Sequence, residues 1–391
     1  MKLVAPLVAA LAVAACSGGS TSMPATSGQS ISQSHSVPDW QAKGLAKRAC
    51  NDARPNVINC DALILNRGNE PNVAGWQPVD FQTRYNLPSS TKGSGQVVAI
   101  VDAYDNPNIA SDLATYRTEF GLGTANFTKY NQLGQTKNYP SANKGWGLEE
   151  DLDVEMVSAV CPLCTIIIVE ANSAYSSDLD TAEAEAITLG AHIVSNSWGC
   201  PGVSNPCGLD PTKFDNPGVV QLASSGDGSY GVQLPAGLET TVAVGGTVLA
   251  KSGSNYSETA WHGAGAGCAT GITKPSWQHD SGCTSRTEAD ISAVAWNAAE
   301  YDSYGYGGWF TVGGTSVASP LDAGVFGLAG NASSQDDAKA FWSLKKKARK
   351  KDLHDITSGS DGSCSPTYLC TAGKGYDGPT GWGTPNGIGA F

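Results

Sequence analysis

VVAIVDAYDNPNIASDLATYRTEF, Val97 to Phe120, joins an apolar, β-branched run to a stretch with helical periodicity. The same combination recurs along the chain, with TIIIV, HIVSNS and VVQLAS as apolar runs and SDLDTAEAEAITLG as a further helical stretch. Strands that alternate with helices are typical of a parallel sheet, because each parallel connection needs a crossover that a helix usually supplies. The sequence therefore predicts an α/β fold with a mostly parallel central sheet and helices on both faces.

The stretch GGTSVASP, Gly313 to Pro320, places one serine between a glycine turn and an apolar helix. The run from Gly308 to Val312 has the composition of a strand that enters this turn. The Ser316 hydroxyl would then lie at a helix N-terminus, where backbone N–H groups support developing negative charge. We interpret Ser316 as a nucleophile, with an ordinary helix cap as the alternative.

The stretch WGLEEDLDVEMVSAV carries five acids in the seven positions from Glu149 to Glu155. Glu149 and Asp153 are four residues apart, so they share one face of a helix. Two carboxyl groups held close together push their pKa values apart, so that the pair can act as a base and then as an acid. The alternative is a first helical turn, where the helix dipole favours negative charge. None of the five histidines stands in a setting typical of a histidine general base.

The stretch VVQLASSGDGSYG supplies a third candidate, Asp227, just after an apolar strand that spans Val219 to Ala223. Functional sites in open α/β sheets form at the carboxyl ends of the strands. A protonated Asp227 would donate a hydrogen bond to an oxyanion, whereas the alternative is ordinary turn chemistry.

The acid cluster, SSGD and GGTS, in that order, resemble the sedolisin or serine-carboxyl peptidase family. The resemblance runs from about Gln96 to the C-terminus and includes VVAIVDAYD, SNSWG, AVGGT and GKGYDGPTGWGTPNG. It implies a subtilisin-like three-layer fold and a serine-type endopeptidase that acts on polypeptides. The resemblance also implies a role for each candidate: Glu149 is the base, Asp153 orients it, Asp227 is the oxyanion donor and Ser316 is the nucleophile.

Two departures from the family's pattern lie beside these residues. Gly313 and Gly314 stand where the family usually has a serine before G-T-S, and Gly-Ser follows Asp227 where Ser-Gly is commoner. Neither departure removes a functional atom. Because Asp227 must be protonated to donate, and an unperturbed aspartate titrates near pH ~3.9, we expect the greatest activity at acidic pH unless burial raises that pKa considerably.

The C-terminal stretch LHDITSGSDGSCSPTYLCTAGKGYDGPTGWGTPNG is a glycine-rich segment that carries several acids. Its spacing alone fits a polar, disulfide-tied surface loop as well as a cation site. The resemblance implies one structural calcium ion, a hard cation that prefers oxygen ligands. It assigns as ligands the carboxylates of Asp355 and Asp377 and the main-chain carbonyls of Ile356, Gly373 and Gly375.

The N-terminus predicts export, because an apolar, alanine-rich run from Leu3 to Ala15 follows Lys2 and is too short to span a membrane. VAAC, Val13 to Cys16, resembles a bacterial lipobox, which implies a lipid on Cys16. An ordinary signal-peptidase site, A-x-A, is the alternative at the same place. We expect a chain exported from a bacterial cell, either lipid-anchored in the cell envelope or secreted.

These features predict that the chain is divided into four segments. Residues 1–16 are the predicted lipoprotein-type signal peptide, and residues 17–37, rich in Ser, Thr, Gly and Pro, are a flexible tether. Residues 38–95 have little periodicity and are either a short pro-piece or an extension wrapped on the rest. Residues 96–391 form the peptidase domain.

The net charge bears on whether the chain binds nucleic acid, and the cysteine spacing bears on which disulfides form. The net charge of −12, with only 15% charged residues, excludes nucleic acid as an expected partner. Of eleven cysteines, the ten that remain without Cys16 form near neighbours. We predict five local disulfides, with redox chemistry as the alternative for one C-x-x-C. The predicted pairs are 50 with 60, 161 with 164, 200 with 207, 268 with 283, and 364 with 370.

Two rival functions remain open on the sequence. One is a catalytically silent exported lipoprotein that uses the fold for binding. The other is a glycosidase whose two carboxylates come from the acid cluster, although it leaves GGTS and SSGD unexplained. As a peptidase, the chain is expected to act as a monomer on polypeptide substrates, with membrane contact only through Cys16.

Overall fold

The computed structural model describes residues 1–2, 37–66, 73–202, 205–335 and 337–391. Cys16, the body of the predicted signal peptide and nearly all of the predicted tether lie outside the described residues. The helices and strands discussed below belong to one compact unit, which spans His35–Phe391. Within the described ranges, no helix has the length and apolar character needed to cross a membrane.

The secondary structure alternates along most of the chain, as the sequence predicts. The helices are α1 Asp39–Ala42, α2 Pro78–Arg84, α3 Ile109–Glu119, α4 Lys144–Val160, α5 Ser176–Thr188, α6 Thr315–Ala329, α7 Asp337–Ser343 and α8 Lys346–Asp352. The strands are β1 Ala46–Arg48, β2 Asn59–Cys60, β3 Leu63–Leu65, β4 Val97–Ala103, β5 Asn126–Asn131, β6 Thr165–Ala171, β7 Ile193–Asn196, β8 Trp198–Pro201, β9 Val220–Ser224, β10 Gln233–Leu234, β11 Val242–Ser252, β12 Asn255–Ala260, β13 Gly267–Thr273, β14 Ser285–Glu288, β15 Ile291–Val294, β16 Trp296–Asp302, β17 Gly308–Gly313, β18 Leu353–His354 and β19 Thr384–Pro385.

The central sheet has the strand order β12-β11-β9-β7-β4-β6-β5, with β15 also paired to β11. Every pairing in it is parallel except that of β11 with β12. Its inner strands are buried along almost their whole length, which explains their continuous apolar runs, since helices cover a parallel sheet. The predicted α/β fold with a mostly parallel central sheet is confirmed.

Helices α4 and α6 pack against each other and against the sheet, and this contact requires small residues. A Cβ atom added at Gly324 of α6 would lie 2.3 Å from Val160 Cγ2 of α4, closer than real atoms approach. Helix α5 packs against β4 and β6. The axes of α4 and α6 therefore come close together at the C-terminal end of α4.

The segment before residue 96 adds short strands to the rest of the molecule. Strand β3 lies between β1 and β17 in a second sheet, and β2 pairs with β8 in a third. All of these pairings are antiparallel. The boundary between residues 95 and 96 remains a prediction, but residues 46–65 pack as part of the same compact unit as the central sheet.

The five predicted disulfides are confirmed. The structure pairs Cys50 with Cys60, Cys161 with Cys164, Cys200 with Cys207, Cys268 with Cys283, and Cys364 with Cys370. Their sequence separations run from 3 to 15 residues. Each bridge therefore closes a local loop.

Candidate active site

Ser316 is the second residue of α6, directly after the turn that ends β17. Gly314 caps this helix with a φ of 113°, a conformation that residues with a Cβ rarely adopt. The Ser316 hydroxyl donates a hydrogen bond to the main-chain oxygen of Ser197 at 3.2 Å. The predicted strand, glycine turn and helix are therefore present, and they place Ser316 at the helix N-terminus. The side chain is fully buried.

Helix α4 begins at Lys144, well before the acids. The Asn143 side chain caps it by accepting hydrogen bonds from the amides of Gly145 and Trp146. Glu149 and Asp153 therefore lie in the helix interior, and no acid lies in the first turn. The first-turn explanation of the acid cluster is wrong.

Glu149 and Asp153 are fully buried and one helical turn apart. Within the described residues, neither carboxyl group forms a well-aligned hydrogen bond. Burial raises the pKa of Glu149 well above its usual value, the charge of Asp153 raises it further, and the nearby Ser316 hydroxyl lowers it. Burial likewise raises the pKa of Asp153, and the Ser197 hydroxyl lowers it. Both acids therefore lie in a buried environment beside Ser316 that raises their pKa values.

Asp227 follows β9 and faces the N-terminus of α6. Its Oδ1 accepts hydrogen bonds from the Thr315 amide at 2.8 Å and from the Thr315 hydroxyl at 3.0 Å. Its Oδ2 is buried and has no partner in the described part of the chain. Burial raises the pKa of Asp227 well above the usual aspartate value, with a further increase from Asp61. A protonated Oδ2 would therefore be a hydrogen-bond donor beside Ser316.

The four predicted residues come from three segments and meet at one place. The charge of Asp227 contributes to the raised pKa of Glu149, and the Ser316 hydroxyl contributes in the opposite direction. The structure therefore brings together the α4 acids, the carboxyl end of β9 and the start of α6. Such a group contains a hydroxyl, a base, and a buried acid that can donate a proton.

Two further acids near these residues were not identified from the sequence. Asp102 lies at the buried end of β4, and its charge raises the pKa of Asp153. Asp61 lies between β2 and β3, and its charge raises the pKa values of Glu149 and Asp227. An acid directly after the apolar run VVAIV was a usable signal for Asp102. No comparable signal marked Asp61, because its flanking strands are only two and three residues long.

The two acids of the predicted calcium site also lie together. The Gly375 amide donates to the Asp355 carboxylate at 3.0 Å, and the Gly373 amide donates to Asp377 Oδ2 at 2.8 Å. Asp377 is buried, and Ile356 lies in a small apolar cluster near the same segment. The amide N–H groups of the two glycines, and not their carbonyls, contact the carboxylates in this structure.

A third acid in this loop, Asp361, is buried, and its two carboxylate oxygens have no hydrogen-bond partner in the ranges described. Burial raises its pKa, and the charge of Asp377 raises it further, so the two groups are neighbours. This part of the molecule thus supplies hard oxygen donors of the kind that calcium prefers.

A separate acidic cluster was not identified from the sequence. Asp112 of α3, Asp151 of α4 and Asp302 of β16 are buried and place carboxylate oxygens within 4.8 Å of one another. At that spacing the three groups could hold a metal ion. The signal was incomplete, because only Asp151 belongs to the acidic stretch that the sequence singled out.

Comparison with known proteins gives several relatives. No protein-family model matches the chain. Kumamolisin of Bacillus sp. (strain MN-32) is 28% identical over 360 residues, which cover 80% of this chain and 62% of that protein. Sedolisin of Pseudomonas sp. (strain 101) is 28% identical over 355 residues, covering 79% and 60%. Xanthomonalisin of Xanthomonas sp. (strain T-22) is 27% identical over 383 residues, covering 80% and 45%.

The chain therefore spans between 45% and 62% of the length of these curated relatives. Among solved structures, Pseudomonas sedolisin, a serine-carboxyl proteinase complexed with two molecules of pseudo-iodotyrostatin, has a TM-score of 0.70 at 26% identity. That match covers 81% of this chain and 96% of the sedolisin chain. The psychrophilic protease S41 shares the fold, with a TM-score of 0.53 at 20% identity over 80% of this chain and 98% of its own.

Proposed function

Because this chain belongs to the sedolisin family and has its subtilisin-like fold, we propose that it is a serine-type endopeptidase that hydrolyses polypeptide substrates. One observation carries the proposal. The Ser316 hydroxyl, the Glu149 carboxyl and the Asp227 carboxyl are buried neighbours at the start of α6. This arrangement supplies a nucleophile, a base and an oxyanion donor without a histidine.

In the proposed reaction, Ser316 Oγ attacks the carbonyl carbon of the substrate peptide bond while Glu149 accepts the hydroxyl proton. Asp153, one turn further along α4, orients Glu149 and holds its charge state through their shared burial. Glu149 then returns the proton to the leaving nitrogen. Attack of water on the acyl-enzyme repeats the sequence and frees Ser316.

The developing oxyanion is stabilised by the protonated Asp227 and by the Ser316 amide N–H at the start of α6. Thr315 supports this role because its amide and hydroxyl both donate hydrogen bonds to Asp227 Oδ1. The proton of the acid would then lie on Oδ2, which could donate to the oxyanion. Asp227 stops donating once the pH rises through its raised pKa. We therefore expect activity to fall as the pH rises through that raised pKa, and the acidic optimum remains a prediction from the sequence.

The test is hydrolysis of denatured casein from acidic to neutral pH by the full chain and its variants. Ser316→Ala and Glu149→Gln should each lower kcat/KM by about three orders of magnitude or more. Glu185→Gln, at a partly exposed position of α5, and His192→Ala, at an exposed one, are matched controls that should retain wild-type activity. Full activity in Ser316→Ala would exclude the proposed nucleophile.

The rival functions give different results in the same experiment. A glycosidase would cleave a polysaccharide at equal rates with and without the Ser316 hydroxyl. A binding protein would leave casein intact at every pH, including after removal of any segment that covers Ser316.

A structural calcium ion is the second part of the proposal. The donor set that supports it consists of Asp355 and Asp377, with main-chain carbonyls of Ile356, Gly373 and Gly375, and the neighbouring Asp361 fits the same chemistry. When bound, the ion would supply positive charge that neutralises these carboxylates and fixes the loop. It would take no part in the chemical step.

The cellular setting remains a proposal that rests on the sequence. An exported chain that acts as a monomer, with contact to a membrane only through a lipid on Cys16, is consistent with the local disulfides, since disulfides persist outside the cytoplasm. Residues 38–95 are part of this proposal, as a pro-piece or as a permanent extension.

A further inference from the structure

Positive charge is concentrated near the C-terminus of a chain that is acidic as a whole. The net charge is −12, yet six of the seven positions from Lys345 to Lys351 are Lys or Arg. Several of these side chains line a cleft of about 560 Å³, which we call the basic cleft and which the proposed peptidase function does not use. Its cationic lining residues are Lys346, Arg349 and Lys350 of α8 and Lys374 of the C-terminal loop.

The Arg349 side chain is held in place by an aromatic cluster. Its guanidinium group lies over the Trp382 ring, 3.7 Å from the ring centroid. Trp382 in turn packs against Trp342 and Tyr376, at centroid distances of 5.3 and 5.5 Å. Stacking uses the flat face of a guanidinium and leaves the N–H groups at its edge available for hydrogen bonds. Arg349 is therefore positioned before any ligand binds.

Two buried N–H groups of the basic cleft have no acceptor. Arg349 Nε and Trp382 Nε1 are both buried, and neither has a hydrogen-bond partner within the described ranges. Both residues line the cleft. Buried donors are normally paired, because a donor that has lost its water without gaining an acceptor is costly to the folded state. The two donors therefore point to a ligand that offers acceptor oxygens.

The lysines of the basic cleft also lack counter-charges. In the part of the chain that the structure describes, Lys346, Lys350 and Lys374 form no salt bridge, whereas the adjacent Lys351 pairs with Asp352 at 2.8 Å. Like charges that line one cleft repel one another. An anion bound between them would relieve that repulsion.

Asp355 is the one acid among the described residues that line the cleft. Its carboxylate accepts a hydrogen bond from the Gly375 amide at 3.0 Å. Burial raises the pKa of Asp355, whereas the charges of Lys350 and Lys374 lower it, so both lysines lie near this carboxylate. One carboxylate stands against four cations, and the cleft keeps an excess of positive charge.

We propose that the basic cleft binds a phosphate group from solution, as inorganic phosphate or as the terminal phosphate of a small organic molecule. A phosphate group carries up to two negative charges near neutral pH and several acceptor oxygens, whereas a carboxylate carries one charge. Guanidinium and phosphate also match in geometry and form paired hydrogen bonds. This inference goes beyond the proposed peptidase function and does not depend on it.

The size and shape of the cleft favour a dissolved ligand over a membrane surface. A volume of about 560 Å³ lies in the range of small-molecule sites and leaves room for an organic group beside the phosphate. The donor atoms of Arg349 and Trp382 are buried, so a ligand must enter the cleft to reach them. Phosphates fixed in the plane of a bilayer are restricted in that approach.

The first test is calorimetric titration of the full chain, as Ser316→Ala, with inorganic phosphate near neutral pH. We expect one saturable site. Arg349→Met and Lys350→Gln should each weaken binding by about tenfold or more, because each removes a charged donor. Lys350 is exposed, so its variant tests the site even if Arg349→Met does not fold. Absence of saturable binding, or equally tight binding of acetate, would overturn the proposal.

Lys351→Gln is the matched control, because it removes one charge from the same helix at a residue that is paired with Asp352 and does not line the cleft. Its affinity for phosphate should stay within about twofold of the parent, since exposed charges are screened by salt. Equal losses in Lys350→Gln and Lys351→Gln would show diffuse attraction and overturn a specific site.

The buried donors are tested by Trp382→Phe, which keeps an aromatic ring under Arg349 and removes the indole N–H. Phosphate affinity should fall several-fold. Unchanged affinity in both Trp382→Phe and Arg349→Met would show that phosphate does not contact these donors, which would overturn the assignment to this cleft.

Two further titrations identify the source of the anion. Sulfate has a similar shape and charge and should displace phosphate, whereas phosphate that sulfate cannot displace would be held by a calcium ion of the C-terminal loop and would overturn the proposal. Vesicles of phosphatidylglycerol should sediment no more protein than vesicles of phosphatidylcholine. Sedimentation with phosphatidylglycerol that Lys350→Gln abolishes and phosphate does not reverse would assign the cleft to lipid headgroups and overturn a dissolved ligand.

Discussion

Asp290 and Glu149 are both fully buried carboxyl groups, yet their surroundings differ. Asp290 accepts hydrogen bonds from both terminal nitrogens of Arg286, from the Ala243 amide and from the Trp342 indole. Glu149 has neither a cation nor a hydrogen bond of good geometry in the described residues, and its strongest electrostatic neighbours are other acids. Asp290 is paired with a cation, whereas burial and neighbouring acids raise the pKa of Glu149.

This difference separates a structural role from a chemical one. Removing one partner of a buried ion pair strongly destabilises the folded protein, because the other partner remains as an uncompensated buried charge. A buried carboxyl group without a cation retains its proton to a higher pH, which is the property that a general acid needs. The fold thus contains buried carboxyl groups of both kinds.

The largest effect should be a loss of stability as the pH rises. Glu183 of α5 is buried without a cation, and burial raises its pKa from 4.5 to about 8. Its contribution to stability is therefore complete below about pH 4.5, where the unfolded group is also protonated, and is lost as the pH rises to about 8. Each such group contributes up to roughly 1.4 kcal/mol per pH unit in that window.

The measurement is urea unfolding of Ser316→Ala, which cannot digest itself, across that pH range. Glu183→Gln in the same background should flatten the decline in unfolding free energy. Stability that is constant or that increases from acidic to mildly basic pH would show that these groups ionise in the folded state as they do in water.

Breaking the ion pair between Arg286 and Asp290 should have the next largest effect on the free energy of unfolding. Arg286→Met leaves Asp290 buried without its cation and should lower the free energy of unfolding by about 3–5 kcal/mol at neutral pH. Glu149→Gln, the matched change in the unpaired region, should leave the free energy of unfolding unchanged or raise it, although we expect it to abolish the proposed catalysis. Both are measured by urea unfolding in the Ser316→Ala background. Similar losses in the two variants would remove the distinction between the regions.

The C-terminal loop adds a third case, in which the cation would come from solution. A calcium ion that binds only the folded chain should stabilise it by about 2.7 kcal/mol at a hundredfold excess over its dissociation constant. Chelator should therefore lower the melting temperature of Ser316→Ala, and Asp377→Ala should lower it similarly and remove the effect of chelator.

Asp112→Asn is the control for that experiment, because it alters the other acidic cluster. Calcium dependence should survive in this variant. If Asp112→Asn removes the dependence and Asp377→Ala does not, the ion binds among Asp112, Asp151 and Asp302. Identical melting curves with and without chelator would exclude a stabilising ion at both places.

The sequence predicted the features that depend on local pattern. The apolar runs predicted the parallel strands, and the near-neighbour cysteines predicted the disulfides. The glycine turn before Ser316 predicted the strand-to-helix junction. The start of α4 was less certain from sequence, because its acids fit a first turn until the cap at Asn143 is known. Catalytic roles for the four site residues remain predictions, although the structure brings them together.

The part that could not be predicted depends on distant pairing. Strands β2 and β3 are too short to show a period of two, and their partners β8 and β17 lie more than a hundred residues away in sequence. Only the folded chain shows that residues 58–65 pair with these two strands. The same holds for Asp112 and Asp302, which join Asp151 through packing of α3 and β16 against α4.

The local character of the disulfides fixes how the chain is connected covalently. Every bridge closes a ring of neighbouring residues, and the ring formed by Cys50 and Cys60 ends one residue before Asp61. Among the described residues, the Asp61–Ala62 bond therefore lies outside every disulfide ring, and no disulfide joins the two parts of the chain on either side of it. A single cut there would leave the N-terminal piece attached by hydrogen bonds and packing alone. Whether that piece stays bound to the rest of the protein would then depend on a binding equilibrium, and therefore on dilution.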